Sequence, residues 1–182
     1  DYHFPATKKS SIRLKKFVKD KSKIFKVGCP SIDLAKKIKK KLTLSFNFHK
    51  LYQGVGSEID FKKKFIVVMQ HPVTDEYGFS GEQIKKTYNA VINSKIQTIW
   101  FWPNSDAGSF EVSKILRTKR EVKKKELTNI FFVKNMSPEH FLELLNFSSG
   151  IIGNSSAGIR ECSYLGVPGI NIGSRQSGRE IG

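Results

Sequence analysis

The apolar positions of this chain fall in short, unbroken runs, each closed by turn residues. Ile24-Phe25-Lys26-Val27 leads into Gly28-Cys29-Pro30, Phe65 to Met69 into Gln70-His71-Pro72, and Thr98 to Trp102 into Pro103-Asn104. Ile130 to Val133, Gly150 to Ile152 and Val167 to Ile172 close the same way, in Lys134-Asn135, Gly153-Asn154 and Gly173-Ser174-Arg175. A strand with one wet face alternates, whereas an unbroken run has both faces covered, as in a parallel sheet. Helical patterns lie between the runs. Ser31 to Lys41 opens on a Ser cap, and Gly81 to Ser94 carries Ile84, Tyr88, Val91 and Ile92 on one stripe. Ser137-Pro138-Glu139 supplies a cap and a first-turn Pro ahead of Phe141, Leu144 and Leu145. Alternating strands and helices predict an α/β fold, a Rossmann-like parallel sheet with helices on both faces. Residues 36 to 64, with Gln53-Gly54-Val55-Gly56, fit this pattern least and read as a long helix plus a loop. There is no internal repeat.

The 182 residues, 38% of them hydrophobic, suffice for one domain with a core and a piece of a second. No apolar run approaches the roughly 20 residues that span a bilayer, so no membrane partner is expected. The chain opens DYHFPATKKS, without Met or a signal-peptide apolar region, and ends at EIG. A piece of a longer, cytoplasmic protein is the expectation. Cys29 and Cys162 lack metal-ligand or redox spacing and read as two free thiols. Asn146-Phe-Ser and Asn154-Ser-Ser match the glycosylation sequon and read as chance matches without a secretory signal.

The net charge of +16 would suit nucleic acid or an acidic surface. Yet the charge is nearly all Lys in short runs, such as Lys39 to Lys41, Lys62 to Lys64 and Lys123 to Lys125. These read as solvated surface, and no nucleic-acid partner is expected. The aromatics Trp100, Phe101 and Trp102 sit within a strand run rather than among exposed cations. Arg is the better bidentate phosphate ligand. Of six Arg, Arg160, Arg175 and Arg179 all fall in the final segment, where Lys disappears and Gly, Ser and Asn gather.

In a doubly wound sheet, ligands bind beyond the carboxyl ends of the strands. Here those ends carry QHPVTDE, PNSDAGS, KNMSPEH, GNSSAGIRE and GSRQSGRE, so the polar residues converge on one rim. After the strand at Gly150 a helix is expected to begin near Ser155 or Ser156. Its unpaired N–H groups and two hydroxyls make an anion site, or else an ordinary Ser cap. Glu161 either accepts from the two hydroxyls of a ribose or complements the helix and Arg160. His71 is either structural or a donor, acid or base near a phosphate. Asn104 and Asp106 cap a turn or touch the ligand. Together they suggest a site for a nucleotide diphosphate.

Six motifs, HFPAT, VGCPSID, QHPVT, PNSDAGS, GNSSAGIRE and GVPGINIGSRQSGRE, occur in one order over nearly the whole chain. In these the chain resembles the hydrolysing UDP-N-acetylglucosamine 2-epimerases. The resemblance is especially to the sialic-acid and legionaminic-acid pathway type and to the epimerase half of the animal bifunctional epimerase/kinase. The resemblance implies a GT-B architecture. Residues 1–22 would end the N-terminal domain, and residues 23–182 would form most of the C-terminal, UDP-binding Rossmann-like domain. It implies that His71 contacts the diphosphate, that Ser155 and Ser156 bind phosphate and that Glu161 holds the ribose. Met136 would sit where backbone groups read the uracil, and Asn104 and Arg175 would line the nucleotide-sugar site. The implied reaction converts UDP-GlcNAc to N-acetylmannosamine and UDP by anti elimination and syn hydration, with no metal or redox cofactor. The acidic residues for C2 chemistry would come from the other domain, so this chain alone would bind UDP weakly and catalyse nothing. UDP-diacetylbacillosamine is the alternative substrate, and the donor domain of a GT-B glycosyltransferase the alternative enzyme. Where the animal enzymes bind a feedback inhibitor through basic residues, Phe110 replaces a Lys and Lys134 is kept, so that regulation is not expected. Family members are often homodimers, though nothing in these residues shows an assembly.

Overall fold

The structure, a computed structural model, describes residues 1–38, 43–122 and 129–180. Its centre is a six-stranded sheet of β1 (Gly54–Gly56), β2 (Phe65–Met69), β3 (Gln97–Phe101), β4 (Ile130–Val133), β5 (Ile151–Gly153) and β6 (Gly169–Asn171). The strand order is β1-β4-β3-β2-β5-β6. All neighbours are parallel except β1, which runs antiparallel to β4. From β2 the chain steps outward through β3 to β4, then returns to the far side of β2 for β5 and β6. The order therefore reverses between β2 and β5, where an open α/β sheet forms its ligand crevice.

The helices are α1 (Lys8–Leu14), α2 (Pro30–Ala35), α3 (Phe48–Leu51), α4 (Ser80–Ser94), α5 (Ser109–Val122), α6 (Pro138–Phe147) and α7 (Glu161–Leu165). Alternate residues of the four central strands, β2 to β5, feed two cores. Val67, Ile99, Phe131 and Ile151 pack with Phe48, Leu144 and Leu145 from α3 and α6. Val68, Trp100, Ile130 and Phe132 pack with Ile84, Tyr88, Val91, Val112 and Leu116 from α4 and α5. Each fully buried aliphatic or aromatic side chain contributes about 1.5–3 kcal/mol relative to exposure. Both faces of the central strands are covered, which accounts for their unbroken apolar runs, whereas the edge strands β1 and β6 are exposed. Ser137 caps α6 by accepting the His140 N–H at 3.4 Å, and Pro138 occupies the first helical position.

Two expectations fail. The run Ile24 to Val27 is not a strand of this sheet. It pairs instead with the first residues: His3 N–H donates to Lys23 O at 2.8 Å, and Phe25 N–H to His3 O at 2.9 Å. Tyr2, Phe4 and Phe25 stack on this small pairing, which spans the boundary expected at residue 22. The sixth place in the sheet goes to β1, in the Gln53-Gly-Val-Gly stretch expected to be loop. Glycine makes this edge strand fit, because a Cβ on Gly56 (φ +124°) would lie 2.1 Å from Ile130 O. The helix expected over Ser31 to Lys41 covers Pro30–Ala35, and Lys39 to Lys41 and Lys123 to Lys125 lie outside the described residues. Both cysteines are free thiols, and burial beside Glu161 pushes the Cys162 thiol up to about 12. Among the described residues no helix is long and apolar enough to cross a membrane, and no cluster of His, Cys, Asp or Glu could hold a metal ion.

Candidate functional site

The last register pair of the β2–β5 ladder is Met69 with Gly153. At Gly153 the chain turns with φ +142°, and a Cβ there would lie 1.9 Å from Met69 O, so only glycine fits. The turn sends the Asn154 side chain across to the end of β2. Asn154 Oδ1 accepts the His71 N–H at 2.7 Å, and Asn154 Nδ2 donates to His71 O at 2.7 Å. A side-chain amide thus continues the ladder one step beyond its backbone. Asn154 is 2% exposed.

The loop after β6 closes over the same point. Gln176 Nε2 donates to Asn154 O at 2.6 Å, and Arg175 Nη1 donates to it at 3.3 Å. Arg175 Nη2 donates to Asp106 Oδ2 at 3.2 Å, which ties in the loop after β3. Ser174 donates to Glu76, on the loop after β2. Three loops are therefore laced together around His71.

His71 is buried, and its Nδ1 accepts the Asn104 N–H at 3.3 Å. An accepting Nδ1 leaves the proton of the neutral ring on Nε2. Burial first, and then the Arg175 charge, hold the imidazole pKa below its ordinary value, with Asp106 opposing. The ring is thus a neutral donor, suited to an anion's oxygen.

His71, Asn104 and Met136 share one cleft of about 510 Å3, walled by Met69, Trp102 and Phe141. The Met136 N–H is engaged by Asn135 Oδ1 at 2.9 Å, so reading of a base by this residue falls to its carbonyl. Arg175 and Asp106 line a neighbouring polar pocket of about 520 Å3 with Pro72 and Thr74. Trp102 lies just beyond the end of β3 rather than within it, stacked on Phe132 at 5.1 Å with the Arg117 guanidinium 5.8 Å from its ring. It also lines a groove of about 650 Å3 with Arg117, Arg120 and Lys134, while Phe110 is exposed.

Beyond Asn154 the expected helix is divided. A 3-10 turn, Ser156–Gly158, precedes the five-residue α7. So short a helix has little dipole, and any anion held here is held by hydroxyls and turn N–H groups. Ser155 Oγ caps the turn by accepting the Ala157 N–H at 3.3 Å, and lines a pocket of about 210 Å3. Ser156 Oγ accepts from Arg160 Nη2 at 3.1 Å. Glu161 is 6% exposed. Its Oε1 meets Arg160 Nη2 at 3.4 Å, whereas Oε2 has no partner among the described residues. A buried carboxylate oxygen without a donor is costly, and in a native protein it calls for an explanation.

The structure thus gathers His71, Asn104 and Met136 in one cleft and joins Arg175 to it through Asn154. Ser155, Ser156 and Glu161 lie on the segment that follows Asn154, outside that cleft's lining. Asn154 and Gln176 were not among the expected site residues. The signal for Asn154 was its place directly after the strand-ending Gly153, and it was hidden inside the sequon-like Asn154-Ser-Ser.

Residues 1–182 match the UDP-N-acetylglucosamine 2-epimerase family. The chain is 30% identical over 179 residues to a UDP-N,N'-diacetylbacillosamine 2-epimerase (hydrolyzing) of Legionella pneumophila, covering 98% of this chain and 44% of that protein. It is 30% identical over 180 residues to a UDP-N-acetylglucosamine 2-epimerase of Neisseria meningitidis, covering 99% and 44%. Its fold is shared with the S. aureus MnaA–UDP co-structure, with a TM-score of 0.62 at 18% identity over 96% of this chain and 42% of that one. The Methanocaldococcus jannaschii UDP-GlcNAc 2-epimerase in complex with UDP-GlcNAc and UDP gives 0.60 at 18% identity over 93% and 44%. The chain spans about 44% of the length of the curated relatives it matches. It belongs to the UDP-N-acetylglucosamine 2-epimerase family.

Proposed function

We propose that this member of the UDP-N-acetylglucosamine 2-epimerase family supplies the UDP-binding half of a hydrolysing epimerase. The observation that carries the reading is the pairing of two features at the strand-order reversal. A neutral, buried His71 donor stands there beside Arg175, and a buried Glu161 oxygen on the adjoining segment lacks a donor. A nucleoside diphosphate supplies what each needs: phosphate oxygens for His71, Arg175 and the Ser155–Ser156 turn, and ribose hydroxyls for Glu161. Asn104 and the Met136 carbonyl line the cleft in which the base and sugar would sit.

The reaction has two steps. A base takes the C2 proton, the C1–oxygen bond breaks, and UDP departs with the electron pair, leaving 2-acetamidoglucal. Water then adds its hydroxyl to C1 and a proton to C2, giving N-acetylmannosamine. The charge that grows on the departing diphosphate is what His71 and Arg175 would stabilise. The base at C2 is assigned to the rest of the full-length protein. A UDP-diacetylbacillosamine substrate is the second reading, favoured by the relative of that name at 30% identity.

Calorimetric titration of this chain with UDP, beside a Ser155→Ala/Ser156→Ala variant, tests the proposal. Saturable binding that the variant weakens at least about tenfold is expected. Equal binding by both proteins, or displacement of UDP by DNA, overturns the site and leaves the Lys surface responsible. N-acetylmannosamine release by the full-length protein tests the reaction.

A further inference from the structure

We infer that Asn154 is the positioning residue of the site, holding His71 and the Arg175 loop in one arrangement without itself reaching the ligand. An ordinary strand-end Asn bonds to its own turn. This one bonds to two other segments. Its N–H donates to Met69 O at 3.0 Å, and its side chain takes both backbone groups of His71 at 2.7 Å each. Its carbonyl receives Gln176 at 2.6 Å and Arg175 at 3.3 Å. The residue after it is Ser155. Every segment that carries a candidate phosphate ligand therefore meets Asn154 directly.

Its side chain is spent on His71 and its carbonyl on the loop, so the two arms can be cut separately. Asn154→Ala removes the first. The His71 segment then loses both anchors, the ring takes up more water, and its pKa moves up towards the ordinary value. Gln176→Leu removes the stronger bond of the second arm and keeps the side chain's volume. Asn154→Asp keeps the shape and the acceptor for the His71 N–H. It replaces the donor to His71 O with a carboxylate oxygen, so it breaks half of the first arm without making a cavity. The groups facing His71 are Arg175 and Asp106, joined in Asn154→Asp by the new carboxylate, which itself raises the imidazole pKa.

The role in binding rests on the UDP reading above, while the effect on His71 does not. The experiment pairs calorimetry with UDP and an NMR titration of the His71 C2 proton, made on the whole chain. Asn154→Ala is expected to raise the UDP Kd at least about tenfold and to shift the His71 titration upward. Asn154→Asp is expected to raise the Kd as well and, with its added negative charge, to shift the His71 titration upward at least as far. It carries the test if Asn154→Ala does not fold. Gln176→Leu is expected to raise the Kd about threefold or more. A folded Asn154→Ala or Asn154→Asp protein whose His71 titration and UDP Kd both match wild type overturns the inference. If wild type binds no UDP, the UDP reading falls and the His71 titration alone decides the positioning role. An unmoved titration then sinks it.

Discussion

Two stretches of one rim handle their polar groups in opposite ways. Around Asn154, the His71 backbone, Arg175, Asp106 and the Gln176 amide nitrogen are paired with one another. A few residues on, Glu161 keeps one carboxylate oxygen buried and unpartnered. Internal pairing makes scaffold, since each bond holds a loop and spends a donor. An unpartnered buried carboxylate oxygen costs the ligand-free protein stability, and a ligand's hydroxyl would offset that cost. The unpartnered oxygen inside the scaffold, Gln176 Oε1, belongs instead to a neutral amide. The contrast divides the candidate residues into those that shape the site and those that receive.

The largest effect should fall on the scaffold. Gly153→Ala places a Cβ 1.9 Å from Met69 O at φ +142°. A loss of about 3 kcal/mol or more is expected in chemical denaturation. A near-neutral result would break the view that this turn is forced. Glu161→Gln should do the reverse. It keeps the shape, removes the buried charge and leaves stability unchanged or raised, while UDP affinity falls about tenfold in calorimetry. Loss of stability with unchanged affinity would move Glu161 into the scaffold. Ser155 belongs to both groups, as a cap and as a candidate ligand. Ser155→Ala should cost about 1 kcal/mol of stability and weaken UDP as well.

The smallest effect is the pH dependence of His71. Its folded pKa lies below the ordinary 6.5, so the unfolded state binds more protons between the two values. Its contribution is present in full above pH 6.5 and is lost as the pH falls through the folded pKa. The melting temperature of His71→Gln should therefore fall less steeply than that of wild type on acidification below pH 6.5. Parallel curves would remove the buried neutral imidazole from the account.

Five of the six apolar runs are strands. Four of them, β2 to β5, are so because the sheet buries both faces and burial writes itself into sequence as an unbroken run, while the fifth, β6, is an exposed edge strand. The run at residue 24 has the same composition but pairs with residues 3–5 and leaves Phe25 and Val27 exposed, so apolarity alone does not place a segment in the sheet. The exposed Gly54–Gly56 strand leaves no such trace and was invisible. At the site, strand direction alone brought His71, Asn104, Ser155 and Arg175 to one rim. The division of the Ser155–Leu165 segment into a 3-10 turn and a short helix was not legible. Neither was the Asn154–His71 lock, because the first depends on a turn and the second on two residues 83 positions apart.

The chain has only two tryptophans, two positions apart, and they differ in surroundings. Trp100 is fully buried between α4 and the sheet, and Trp102 forms a wall of the cleft that holds His71 and Met136. The protein therefore contains its own optical probe. Emission from Trp100 should be a constant background, and a change on adding UDP should come from Trp102 beside its stacked Phe132 and the Arg117 guanidinium. A Trp102→Phe protein that still binds UDP should do so without a signal, which makes ligand binding visible at concentrations well below those that calorimetry requires.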